Sequence, residues 1–146
     1  MSTAASKATY LAGPMTGYPQ FNFPMFEDAA KHLRMRGLHI ISPAELDNAE
    51  IHKAAMASSD GKLDNDGKIA GSTWGDLLSR DVKVVADLCD SIAFLPGWEK
   101  SRGARLEAFV GILCNHKFYF YYPLTKGLID VSKYEIQDIL YSKAAR

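Results

Sequence analysis

Apolar residues arrive in two rhythms along this chain. Short apolar runs at residues 8–12, 38–42, 91–95 and 118–122 alternate with longer stretches, at 23–36, 73–88, 102–114 and 131–142, in which apolar positions recur every three to four residues. The first rhythm predicts strands and the second predicts helices. Gly13-Pro14 ends the first strand, Asn22 is placed to cap the first helix, and Gly37 follows it. Strand–helix alternation predicts an α/β fold, doubly wound in the flavodoxin-like or Rossmann-like manner. Its mostly parallel sheet of four to five strands is flanked by helices, in one domain over residues 1–146. The ligand crevice of such a sheet opens beyond the carboxyl ends of strands at a topological switch point. That rule puts the loop Gly13, Pro14, Met15, Thr16, Gly17 and the loop 95–102 at the mouth.

Between residues 47 and 72 the periodicity fades into Asp, Gly, Ser, Ala and Lys. A helix fragment and a mobile surface loop are expected there, and a loop this long in a small domain suggests a lid.

Two carboxylates interrupt otherwise apolar surfaces. With Leu77 at zero and about 100° per residue, Leu78, Val82, Val84, Val85 and Leu88 fall on one arc, opposite Asp76, Ser79, Arg80, Lys83 and Asp87. Asp81 stands inside the apolar arc. An unpaired carboxylate there costs several kcal/mol of desolvation, so it needs a cavity or a partner, such as a helix end, an Arg or a Lys. The stretch GARLEAFVGILC is apolar on nearly every side, which predicts burial against the sheet and against another subunit. Glu107 lies in its middle with Gly103 one turn before and Gly111 one turn after. Either the glycines clear a surface on which the carboxylate meets a ligand, or they allow close helix packing while Glu107 pairs with Arg102 or Arg105. Two carboxylates on separate helices are the minimum apparatus for cleaving a glycosidic bond, one attacking or stabilising the sugar carbon and one donating a proton.

Composition narrows the ligand. Lys plus Arg and Asp plus Glu each total 17, giving zero formal charge. No basic field is available for a nucleic-acid polymer or an anionic membrane, so an anionic ligand must be small and locally held. No apolar run approaches the ~20 residues of a membrane span. The opening MSTAASKATYLAG lacks a secretory apolar core, which predicts a cytoplasmic protein. Cys89 and Cys114 sit among apolar neighbours and are expected as two buried thiols. The stretch 64–69, DNDGKI, has the middle of a calcium loop without its terminal carboxylates, and His32, His39, His52 and His116 have no metal spacing.

Taken in order, YLAGPMTG after the first strand and RDVKVVADLCDSIAFLPGWEKSRGARLEAFVG in the middle resemble the nucleoside 2-deoxyribosyltransferase superfamily over nearly the whole chain except 47–72. The pattern is most similar to the 2'-deoxynucleoside 5'-phosphate N-hydrolases and to an uncharacterised phage and prophage branch. The resemblance implies that Glu107 is the nucleophile at C1', that Asp81 handles the base or a sugar hydroxyl, and that Ser101 holds the 5'-phosphate. Ser101, Arg102 and Gly103 open a helix, whose free N–H groups favour an anion. Gly13 to Gly17 would line the other side of the nucleotide, with Tyr18 hydrogen-bonding or stacking on it. In LPGWEKS, Gly97 lies in the crevice loop, and Trp98 reads either as a base-stacking platform or as a core or interface tryptophan. No metal and no organic cofactor is implied; a homodimer or higher homo-oligomer is. Arg105 and Phe109 stand where the family often has glycine.

The expected activity is therefore an N-glycoside hydrolase acting on a (2'-deoxy)nucleoside 5'-monophosphate. The alternatives are a deoxyribosyltransferase and a non-catalytic protein that binds a nucleotide or an ADP-ribose-like ligand.

Overall fold

The computed structural model describes residues 7–142. The first six residues of the opening read for a secretory core lie outside them. Every residue of strand β1 (Ala8–Ala12) is buried, as expected of an interior strand covered on both faces. Beside it lies the short β2 (Ile40–Ile41) and, on its other side, β5 (Cys89–Phe94), followed by β6 (Lys117–Tyr122) and β7 (Gly127–Val131). The order is β2-β1-β5-β6-β7, parallel except for the antiparallel edge pair β6–β7. The sheet is thus the mostly parallel, helix-flanked one the alternation predicts.

Side-chain alternation along β1 splits the core in two. Leu11 faces helix α1 (Phe23–Met35), where Phe26, Ala30 and Leu33 are buried, and α2 (Pro43–Leu46) and α3 (Ala49–Ala57) join that layer. Tyr10 and Ala12 face the opposite layer. There α4 (Trp74–Leu88), α5 (Arg102–Leu113) and α6 (Lys133–Tyr141) contribute Val85, Ala104, Ala108 and Ile136. Gly111 permits the closest approach of α5, because a methyl group there would meet Ile92 Cδ1 at 2.6 Å and Phe118 Cε1 at 3.0 Å.

Several expectations are corrected. Residues 127–131 form an edge strand that the periodicity did not signal, and α6 starts only after Ser132 caps it. Within 47–72 the helix fragment is α3; the rest includes a small hairpin, β3 (Lys68–Ile69) and β4 (Ser72–Thr73). Helix α5 is buried against the sheet side through Ala104 and Ala108, as expected, and in the single chain leaves Leu113 85% and Leu106 41% exposed. Cys114, at its end, is exposed, whereas Cys89 is buried; both are free thiols.

Among the described residues no helix is long and apolar enough to cross a membrane. The chain leaves β1 toward β2 and returns on the other side of β1 to β5, which makes the β1–β5 junction the switch point.

Candidate functional site

A cavity of about 310 Å³ opens at that junction. The loop after β1 supplies Gly13, Pro14, Met15, Thr16 and Tyr18; the loop after β5 supplies Gly97 and Lys100. Gly97 has φ +87, and a side chain there would strike the Tyr18 hydroxyl at 2.8 Å, so the two loops meet at a point only glycine allows. The β1 loop is also tied down at its far end. Asn22 Nδ2 donates to the Pro14 carbonyl at 2.9 Å, Gly17 N–H to Gly61 O at 2.8 Å, and Gln20 N–H to Ser58 O at 2.7 Å.

Helix α4 starts in a reciprocal cap. Thr73 Oγ1 accepts from the Asp76 N–H, and Asp76 Oδ2 from the Thr73 N–H, each at 3.0 Å. That anchored helix presents Leu77, Leu78 and Asp81 to the cavity. Asp81 is only 8% exposed and is met by its chain neighbour Arg80, whose Nε and Nη2 donate to Oδ1 at 3.0 and 2.8 Å. The same guanidinium donates from Nη1 to Asp47 Oδ1 at 2.6 Å, drawing the start of the 47–72 segment to the site. Burial pushes the Asp81 carboxyl up to about 6 against the pull of Arg80, and burial likewise raises Asp47.

Helix α5 starts at Ser101, whose Oγ accepts from the Ala104 N–H at 3.2 Å. Ser101, Arg102, Gly103, Ala104 and Glu107 all line the cavity. Glu107 is 5% exposed, and its partner is neither arginine that the sequence offered. Arg102 lies over the Trp74 ring, 4.7 Å from its centroid, while Arg105 donates to the carbonyls of Glu99 and Leu140. Phe109, the other departure, packs edge-on against Tyr141. The Tyr10 hydroxyl instead donates to Glu107 Oε2 at 2.5 Å. Burial raises the Glu107 carboxyl well above its ordinary range, and the nearby Asp81 charge raises it further, opposed by the Tyr10 hydrogen bond and Arg80. Burial, with the Glu107 charge, raises the Tyr10 hydroxyl too, so it stays a donor.

The cavity therefore collects both carboxylates and most of the expected binding residues. Gly17 and Trp98 are not among its lining. Gly17 is exposed, and Trp98, 4% exposed, packs as a core tryptophan tilted against Phe94 with centroids 4.1 Å apart. Of the two glycines flanking Glu107, Gly103 borders the cavity while Gly111 makes room for sheet side chains.

Sequence reasoning missed Tyr10, Asp47, Trp74, Arg80 and Lys100. Tyr10 is hidden in a uniformly apolar strand and carries no local signal. Arg80 was the readable one, as the cation beside the misplaced Asp81.

Among the described residues no three His, Cys, Asp or Glu are grouped to hold a metal ion. The acidic turn at 64–69 is closed on itself, with Asp64 Oδ1 accepting from the N–H groups of Asp66 and Lys68.

Fold and site define an α/β domain with a carboxylate-bearing crevice at its switch point. The chain belongs to the family described as a domain of unknown function (DUF4406), whose model matches residues 7–118. The match spans β1 to the start of β6, and with it every residue that lines the cavity. No curated protein matches the chain.

Proposed function

We propose that this protein hydrolyses the N-glycosidic bond of a nucleoside 5'-monophosphate, with 2'-deoxyribose as the sugar. One observation carries the reading: two buried carboxylates from separate helices, Asp81 and Glu107, border one cavity together with the start of α5. Along that helix Gly103 and Glu107 are one turn apart, about 6 Å of rise. A phosphate at the α5 start is favoured by the N–H groups and dipole there, with the Lys100 and Arg102 charges beside them. The pentose then lies toward Glu107.

Burial raises both carboxyls, Glu107 well above its ordinary range and Asp81 to about 6, which favours keeping a proton within the pair. With the proton on Asp81, ionised Glu107 attacks C1' as the C1'–N bond breaks, and the base leaves with the Asp81 proton. Water then attacks C1', displacing Glu107 and returning one proton to the pair; the products are free base and sugar 5-phosphate. Tyr10 occupies Oε2 of Glu107 and stabilises its ionised form, leaving Oε1 for the sugar.

The test is incubation with each deoxynucleoside 5'-monophosphate and with NAD, followed by chromatography for released base. Wild type should release base from a monophosphate, and Glu107→Gln should release none while monophosphates still raise its melting temperature. Ligand-induced stabilisation with no release by wild type would make this a binding protein, and transfer of the sugar to an added base in preference to water would make it a transferase.

A further inference from the structure

The cavity has two chemically different walls. Its polar end is the α5 start and the carboxylates. The stretch from α3 to the first turns of α4 contributes Ile51, Ala55, Leu63, Ile69, Leu77 and Leu78, with Trp74 at the rim and not one ionisable side chain beyond Asp47 and Asp81. Both of those acids already accept from Arg80. Residues 47–72, which the sequence suggests as a lid, thus build a hydrocarbon wall of the site itself.

We infer that this wall receives the departing base and selects nucleotides whose base carries an alkyl substituent over those with a bare or hydroxylated edge. The inference rests on the hydrolase reading above. With the phosphate at the α5 start and C1' at Glu107, a base turned toward α3 and the first turns of α4 lies on this apolar wall, with Thr16 and Tyr18 of the β1 loop on the remaining side. A base N–H, carbonyl or hydroxyl pressed against Leu63 and Ile69 loses water without gaining a partner. A methyl group there gains the burial of apolar surface, about fourfold in affinity for each buried carbon. A hydroxyl added to that methyl forfeits the gain and adds a desolvation cost.

The experiment uses deoxyuridine, thymidine and 5-hydroxymethyldeoxyuridine 5'-monophosphates, and deoxyadenosine 5'-monophosphate with and without an N6-butyl group. Dissociation constants are measured on Glu107→Gln and kcat/KM on wild type. Within each series the alkylated member should lead, methyl over hydrogen by about fourfold or more and methyl over hydroxymethyl by about tenfold. Leu63→Asn, on an irregular and partly buried stretch, should erase or invert that order, and Leu77→Asn should do so from the helical side. Equal treatment of all members, or a lead for the hydroxymethyl compound, overturns the inference and leaves the hydrolase reading standing. Binding and cleavage of none of the monophosphates overturns both.

Discussion

Tyr10, at the centre of β1, gives its hydroxyl hydrogen to Oε2 of Glu107, in the middle of α5, at 2.5 Å. Ninety-seven residues separate the two in the chain, yet parallel pairing of β1 with β5 and the packing of α5 on that face leave them adjacent. The contact joins the sheet to the helix at the point where the carboxylate enters the cavity. It also biases the chemistry, because a donor to a carboxylate favours the ionised form, against the burial that disfavours it.

Removing that donor should therefore change the pH dependence of base release as well as its rate. Tyr10→Phe raises the Glu107 carboxyl further, so the acid limb of the kcat/KM profile should move to higher pH. Activity at pH 7 should fall about 10- to 100-fold, the worth of a hydrogen bond to a charged group. A lower rate with an unmoved limb would reduce Tyr10 to packing.

Both carboxylates trade stability for their position. A carboxyl raised in the folded state binds its proton more tightly there than in the unfolded chain. Folding is therefore favoured most below the unfolded value, and stability is lost as pH rises toward the folded one. For Asp81 that window runs from 3.8 to about 6, and the loss is at most about 3 kcal/mol. Asp81→Asn escapes it but leaves Arg80 with one carboxylate fewer, so its melting temperature relative to wild type should climb between pH 4 and pH 7. Glu107→Gln should show the same climb, since Tyr10 can still donate to the amide oxygen. Melting curves at pH 4, 5, 6, 7 and 8 check both; a difference independent of pH would contradict the assignment.

Arg80 neutralises two acids at once, Asp47 at 2.6 Å and Asp81 at 2.8 Å. Arg80→Ala leaves both unpaired. The cost should be about 1–3 kcal/mol at pH 8, below that of a fully buried pair because the Arg80 side chain is 29% exposed. At pH 5, below the value of about 6 to which Asp81 is raised, it should be smaller. Arg80→Lys keeps the charge without the fork and should recover only part of the loss. Equal destabilisation at both pH values would show that the side chain matters through packing alone.

How much of this was legible in the sequence depends on how local each signal is. The spacing of Leu77, Asp81 and Val85 marks Asp81 as misplaced, because a helix writes its faces into the chain every three to four residues. Glu107 between Gly103 and Gly111 is readable for the same reason. Edge strand β7 was not, since two of its five residues, Ile129 and Asp130, face solvent and no alternation distinguishes it from a turn. Tyr10 lies in a strand buried on both faces, where polar function leaves no periodic trace. The apolar wall at 47–72 escaped because its contributors, Ile51, Ala55, Leu63 and Ile69, are too sparse to look amphipathic and converge only in the folded chain.

Gly61 offers a test of how the β1 loop is held. Its φ is +66, and a methyl group there would be driven into the Tyr18 carbonyl. The Gly17 N–H also donates to Gly61 O. Gly61→Ala should cost about 1–3 kcal/mol through strain and collision. It should also raise KM more than it lowers kcat, because Tyr18 and Thr16 shift while Glu107, Asp81 and Tyr10 stay on regular elements. Intact stability and KM would show that the loop yields without consequence.

The two thiols should separate cleanly by reactivity. Cys114, at the end of α5, is exposed, so its thiolate can meet a reagent directly. Cys89 is 1% exposed as the first residue of β5, and burial, with the Asp90 charge beside it, pushes its thiol up to about 12. Since the thiolate is the attacking species, Cys89 is disfavoured both by access and by ionisation. In the native protein at pH 8, a chromogenic disulfide reagent should therefore release one equivalent quickly. The second should follow only as fast as the protein unfolds, and adding denaturant should merge the two phases. Cys114→Ser should abolish the fast phase and leave the slow one. Two fast equivalents in wild type would mean that β5 opens at its first residue, and with it the sheet junction on which the cavity is built.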